Sequence, residues 1–280
     1  MGQRALGLVL LFAACGSESD DVRTYTGSVL DVVFDHGHSN NGGTNVDPNG
    51  CNSPPPLIPA PIVDLFRRGL VANEIVTDTQ LQALKVTAYG GAAGTSHGSE
   101  LALGLALYPY VSHLAILKVA ANDSRYTDWI EGGAHNAALQ TAIADFRAQI
   151  ALTYPAVTSI RWHRVTFLGT KEGNNVAGSP AACAAMPGLA VTLKTQVQGY
   201  IGGTFATDLV IRESSAIVGQ AFLPDERAGQ AGVAVAIGGT LVDIDDIITL
   251  AQEQSDGRHY TGPGQNAIGS RGGGIIAAAL

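Results

Sequence analysis

Two short stretches, far apart in the sequence, carry side chains that could cleave an ester. Gly37-His38-Ser39-Asn40 follows directly on an apolar run. A serine at a strand-to-loop junction can expose its hydroxyl as a nucleophile while its backbone N–H points into an oxyanion pocket. Serine among Gly and Asn is otherwise an ordinary turn residue, so the tetrapeptide alone decides nothing. Asp256-Gly257-Arg258-His259 lies near the C-terminus. An Asp three positions before a His can orient the imidazole, which then accepts a serine proton as general base. Asp-Gly is also a common turn pair, and a surface turn is the plainer origin of this second tetrapeptide taken by itself.

The segments between must bring these stretches together. Val29 to Phe34 reads as a buried strand and runs into turn-rich sequence from Asp35 to Pro61, with Asn49-Gly50 and Pro54-Pro55-Pro56 as breakers. Apolar spacing predicts helices over 61–70, 78–84, 100–108 and 134–152, and β-like runs over 113–120 and 159–168. A second long loop is expected over 169–188, then a helix over 189–200, short strands at 208–211 and 240–243, and a small-residue helix over 264–280 whose glycines weaken it. Strands alternating with helices predict a three-layer α/β/α sandwich on a mainly parallel sheet. In such sheets functional residues collect on loops beyond the carboxyl ends of the strands.

Taken in order, the two stretches resemble the pattern of the SGNH hydrolases, and more closely the sialate O-acetylesterase and carbohydrate acetylesterase branch, whose first block reads Gly-Gln-Ser-Asn. Gly98-Ser99-Glu100-Leu101 followed by residues 113–129 (HLAILKVAANDSRYTDW) looks like the family's Gly-Pro-Glu-Leu helix and Ile-Lys-Val-Ala-x-Gly-Gly-Thr…Asp-Trp block. Arg161-Trp162-His163 resembles the start of its Trp-His-Gln-Gly-Glu block. Residues 241–280 match its Val-Asp-x-Asp-Asp…Asp-Gly-x-His-Tyr-Thr…Gly-Gln…Gly ending closely. The resemblance runs from about Val29 to the C-terminus with its blocks in the right order.

The resemblance implies an SGNH/flavodoxin-like fold and a catalytic triad of Ser39, Asp256 and His259. It also implies an oxyanion hole from the backbone N–H of Ser39, a backbone N–H near Asn122-Asp123, and an amide from Asn174 or its neighbour Asn175. His38 and Asn40 become substrate-contact candidates, although His38 stands where the family has Gln and could equally just pack. Asn122-Asp123 replaces a glycine pair. The N–H survives that change only if the side chains tolerate the backbone conformation, and Asn and Asp do so best. An anionic Asp123 must also point away from the oxyanion or be neutralised. The implied reaction is removal of an acyl group, acetyl first, from carbohydrate, with no cofactor. Esters of other acyl groups are an alternative on the same fold, and so is a surface carbohydrate-binding protein whose catalysis is weakened by the altered blocks.

Bulk properties narrow the field. The 280 residues are 46% hydrophobic and 14% charged, which suits one packed α/β core. A net charge of −8 argues against nucleic acid, whose phosphates call for clustered Lys and Arg. Residues 1–15 read as a secretory address: Arg4, a short apolar run, then Phe12-Ala13-Ala14-Cys15-Gly16-Ser17, which resembles a bacterial lipobox with Cys15 as the lipidated residue. Ordinary signal-peptide cleavage at the same small residues is the alternative. Residues 16–25 then form a tether and 26–280 the esterase domain, placed outside the cell or in the envelope, with the membrane touched only through a lipid. In that oxidising setting Cys51 and Cys183 are expected to bridge, both loops lying on one rim of the implied fold. Asp243, Asp245 and Asp246 look like a metal-binding run but more often decorate a strand-to-helix turn. No metal is expected.

Overall fold

The computed structural model describes residues 25–39, 63–70, 78–83, 98–174, 178–218, 220–249 and 259–280. The address segment with Cys15, the tether, Asn40, Cys51, Asn175 and Asp256 lie outside the described residues, apart from Tyr25 at the tether's end.

Seven strands form one sheet: β1 (Val29–Gly37), β2 (Val63–Gly69), β3 (Gln82–Ala83), β4 (Leu114–Ala120), β5 (Ser159–Phe167), β6 (Phe205–Ile211) and β7 (Thr240–Val242). Their order across the sheet is β3-β2-β4-β1-β5-β6-β7. All neighbours run parallel except β3, which pairs antiparallel with β2 at the edge. The helices among the described residues are α1 (Glu100–Leu107), α2 (Tyr126–Trp129), α3 (Asn136–Thr153), α4 (Thr170–Gly173), α5 (Pro180–Ile201), α6 (Leu223–Ile237) and α7 (Gly262–Ala278). None of the described helices is long and apolar enough to cross a membrane.

The sandwich follows from period-two alternation on strands buried on both faces. Leu30, Val32 and Phe34 of β1 join Ala115, Leu117 and Val119 of β4 in one core, closed by α3, α5 and α6. Val33, Leu114 and Ile116 face the other way, into a core closed by α1 and α7. Trp129 and Trp162 are buried in the first core and serve packing.

Three expectations are corrected. Residues 63–69 form a strand, not a helix: Asp64 and Arg67 are buried, held by His113 and Tyr154 and by Asp78 respectively, so polarity there does not report exposure. Residues 78–83 form a turn and the short β3. The long loop expected over 169–188 is mostly helix. The Ser179 hydroxyl accepts from the Ala182 N–H at 3.1 Å and Pro180 opens α5, a helix start that needs no proline N–H.

The glycines of α7 have a packing reason. A Cβ on Gly269 would sit 2.1 Å from the Ser99 carbonyl oxygen, and one on Gly273 would sit 2.8 Å from that of Leu103. Bare backbone is what lets α7 lie against α1. Gly269→Ala gains about 1 kcal/mol of helix propensity but forces the helices apart, at about 1–3 kcal/mol or more. A net loss of stability is expected, read as a lower urea midpoint. A raised midpoint would mean the two helices separate without cost.

Candidate active site

The chain reverses direction across the sheet at β1: β2 and β4 lie to one side of it, β5 to β7 to the other. A crevice forms beyond the carboxyl ends of the strands at such a point. Ser39 stands two residues past the end of β1, and Asn122 and Asp123 follow β4. Thr170, Lys171 and Asn174 follow β5, Gln220 follows β6, and His259 follows β7. These residues, with His38, enclose a cavity of about 200 Å³, and all nine of them are polar.

The serine and the histidine meet across 220 residues of sequence. The Ser39 Oγ lies 2.7 Å from the His259 Nε2, the distance of a hydroxyl donating to an imidazole nitrogen. That is the contact a general base needs.

Beside them, His38 is buried and shaped by a second hydrogen-bonded chain. Its Nε2 lies 2.6 Å from the Thr170 Oγ1, which donates to the Glu213 Oε2 at 2.7 Å. The Thr170 proton is thereby committed, so the His38 Nε2 carries the proton and donates to Thr170. The other Glu213 oxygen accepts from the Tyr260 hydroxyl, and the Ser214 N–H donates to that hydroxyl at 3.0 Å. Glu213 thus ties the neighbour of the serine to the neighbour of the histidine. Burial, and secondarily the charge of His259, push the His38 pKa down to about 3, so His38 stays neutral.

The turn after β4 resolves the difficulty raised by Asp123. Asp123 has φ +55°, the left-handed conformation that Asn and Asp tolerate best among side-chain-bearing residues. Its carboxylate, largely exposed, is ion-paired with the Lys171 ammonium and is neutralised there. The turn is pinned by the Ala121 N–H donating to the Gly37 carbonyl at 3.1 Å and by the Ser124 hydroxyl donating to the Ala121 carbonyl at 2.8 Å. After β5, Gly169 has φ +121°, and a Cβ there would meet the Gln230 amide nitrogen at 3.0 Å. Only glycine makes that turn cheaply, and it aims Thr170 to Asn174 at the cavity.

The structure brings Ser39, His259, Asn122, Asp123, Asn174 and His38 to one place. It does not bring Trp162-His163 there. Trp162 pairs with Val32 in the middle of the sheet, and His163 lies 3.2 Å from Asp31, so the likeness of those letters to the family's third block is not a likeness of place. The segment that reaches the cavity starts after Phe167. Cys183 is a free, buried thiol in the first turn of α5 with its Sγ 3.3 Å from the Glu172 carbonyl oxygen. Asp243, Asp245 and Asp246 are taken up by Arg212, Arg227 and Arg271. Among the described residues no cluster of His, Cys, Asp or Glu could hold a metal. A larger groove of about 670 Å³ opens at the other end of β5 between Arg147, Arg161 and Gly203, with no described histidine or cysteine in it.

Gln220, Thr170, Lys171 and Glu213 are site residues that sequence reasoning missed. No motif spacing marks them. Only their places in the segments that follow β5 and β6 could have drawn attention.

No family model matches the sequence, and comparison with curated proteins finds no match. Solved structures do resemble it. A protein of Arabidopsis thaliana superposes with a TM-score of 0.59 over 89% of this chain and 97% of its own, at 12% identity. NanS superposes with a TM-score of 0.54 over 90% of this chain and 98% of its own, at 10% identity. Est24, a carbohydrate acetylesterase from Sinorhizobium meliloti, gives 0.46 over 77% and 99%, at 12% identity. The first two likenesses establish the fold, a three-layer α/β/α sandwich on a mainly parallel sheet.

Proposed function

We propose that the chain is a serine esterase that removes short acyl groups, acetyl foremost, from carbohydrate. Ser39 is the nucleophile, His259 the general base, and Asp256 the residue that orients His259. The observation that carries this reading is the 2.7 Å contact between the Ser39 Oγ and the His259 Nε2 at the wall of a small cavity whose described lining residues are all polar.

In the proposed reaction the Ser39 proton passes to the His259 Nε2 as the serine oxygen attacks the ester carbonyl carbon. The resulting oxyanion is held by the backbone N–H groups of Ser39 and Asp123 and the Asn174 amide. His259 returns the proton to the departing alcohol oxygen. Water, deprotonated by the same imidazole, then cleaves the acyl-serine and releases the carboxylate. His38, neutral through the working range, holds its shape without competing for the proton.

The cavity speaks for the substrate. Its roughly 200 Å³ is below the 300–1,000 Å³ usual for drug-sized ligands. A long acyl chain would need an apolar trough, and none of the nine described lining side chains is apolar. A polar alcohol such as a sugar suits the rim. The test is hydrolysis of p-nitrophenyl acetate, butyrate and octanoate beside acetate release from acetylated methyl glucosides. Acetyl is expected to exceed octanoyl by on the order of tenfold or more in kcat/KM, since each misfitting methylene costs appreciable transition-state binding. A preference for octanoyl would overturn the acetyl assignment. A folded protein inert on every ester would make it a carbohydrate binder.

A further inference from the structure

Gln220 is a buried carboxamide at the cavity wall. It is 8% exposed, and among the described residues neither its Oε1 nor its Nε2 has a hydrogen-bond partner. Three pairs of polar groups around it in the cavity are engaged with one another: His38 with Thr170, Lys171 with Asp123, Ser39 with His259. A carboxamide offers two donors and an acceptor, and burying it unmet is costly. Whatever fills the cavity must therefore supply both an acceptor and a donor.

The chemistry of candidate occupants separates them. An ester carbonyl accepts but does not donate. A hydrocarbon or aryl group does neither. A hydroxyl does both. Gln220 stands beyond β6, two strands from β1 and the nucleophile it carries, with the β5 loop between. An ester seated on Ser39 would present the alcohol's neighbouring groups along that side of the cavity.

We infer that Gln220 is the specificity residue that reads a free hydroxyl beside the scissile ester, so that the alcohol side of the substrate is a polyol. The inference rests on the esterase reading and deepens it by assigning the residue that separates a sugar ester from an ester of the same shape without hydroxyls.

Two substrates isolate the effect: a monoacetylated methyl glucoside and cyclohexyl acetate, which share the ester and the six-membered ring. The ratio of their kcat/KM values, sugar over cyclohexyl, is expected to exceed one in the wild type. It should fall about tenfold in Gln220→Leu, the size associated with losing one hydrogen bond to a buried neutral amide. A ratio within twofold of wild type would overturn the inference. A second measurement uses the native glutamine. In Ser39→Ala, the Gln220 side-chain amide resonances are expected to shift saturably with the acetylated glucoside and to stay in place with cyclohexyl acetate. Equal shifts with both, or none with the glucoside, would overturn it as well. Should the wild type hydrolyse neither ester, the esterase reading fails while the resonance experiment still decides what Gln220 binds.

Discussion

Ser39→Ala is expected to lower kcat/KM for p-nitrophenyl acetate by roughly a thousandfold or more, with the circular dichroism spectrum unchanged. Alanine removes the attacking oxygen and the proton that His259 would accept, while the backbone N–H of residue 39 stays in place. The residual rate should come from the oxyanion donors alone, which elsewhere leave about a thousandfold to ten-thousandfold over water. His259→Ala should cost a similar factor, and the double variant little more than either, because a nucleophile and its base act as one device. Multiplying losses would mean the two residues contribute separately and that their 2.7 Å contact is not the catalytic one. A folded Ser39→Ala protein that keeps half its activity would remove Ser39 from the mechanism.

What the sequence revealed of this site, and what it hid, divides along a physical line. The Ser39 and His259 stretches could be read because each must end a strand or precede a helix in a fixed way. Gly37 closes β1, and Tyr260 and Thr261 lead into α7. The strands flanking β1 were also readable, since β4 is an apolar run buried on both faces and β5 alternates as a strand does. The strand at 63–69 was not. Its buried Asp64 and Arg67 are satisfied by partners 49 and 11 residues away, and an apolar count over a short window cannot see them. The helix at 223–237 carries Asp225, Glu226 and Arg227 in its first turns beside glycines, and it gave no clear period.

Gln220 and Glu213 mark a deeper limit. Their importance lies wholly in what surrounds them. One has an empty hydrogen-bonding capacity facing a cavity. The other accepts from Thr170 and Tyr260 through its carboxylate, while its backbone N–H donates to Gln230 and its backbone carbonyl accepts from Arg227. Asp123 shows the converse. Its replacement of glycine next to an oxyanion looked damaging in the sequence, yet a left-handed backbone and the Lys171 ion pair make it compatible with catalysis. Lys171 sits 48 residues away, so the compensation is visible only once the two loops meet.

The same β5 loop carries a pH-dependent weakness that a single substitution should remove. Glu172 is buried; its Oε1 accepts from the Tyr126 N–H at 2.8 Å, and its Oε2 has no partner among the described residues. Close by is Glu226, also buried with an unpartnered Oε2, which lies 2.2 Å from where a Cβ on Gly173 would stand. Burial pushes the Glu172 pKa up to about 7, only partly offset by the Tyr126 N–H, and burial raises that of Glu226 as well. The folded state therefore prefers the protonated acid. The stability this contributes is full below the unfolded value near 4.5 and is lost as pH rises through about 7. Above that pH, ionised Glu172 costs about 3 kcal/mol relative to a neutral group of the same shape. Glu172→Gln keeps an acceptor for the Tyr126 N–H and offers an amide donor toward the neighbouring acid. Denaturant curves should show the variant more stable than wild type by about 3 kcal/mol at pH 8.5, and close to it or slightly less stable at pH 5. Parallel pH profiles would show that Glu172 is ionised at no cost. Because Lys171 and Asn174 flank this acid and line the cavity, wild-type activity should fade on the alkaline side as the loop loosens, and Glu172→Gln should carry activity to higher pH. If stability shifts and the alkaline limb of activity does not, the limit lies in the chemistry at Ser39 and His259 rather than in the loop that shapes their cavity.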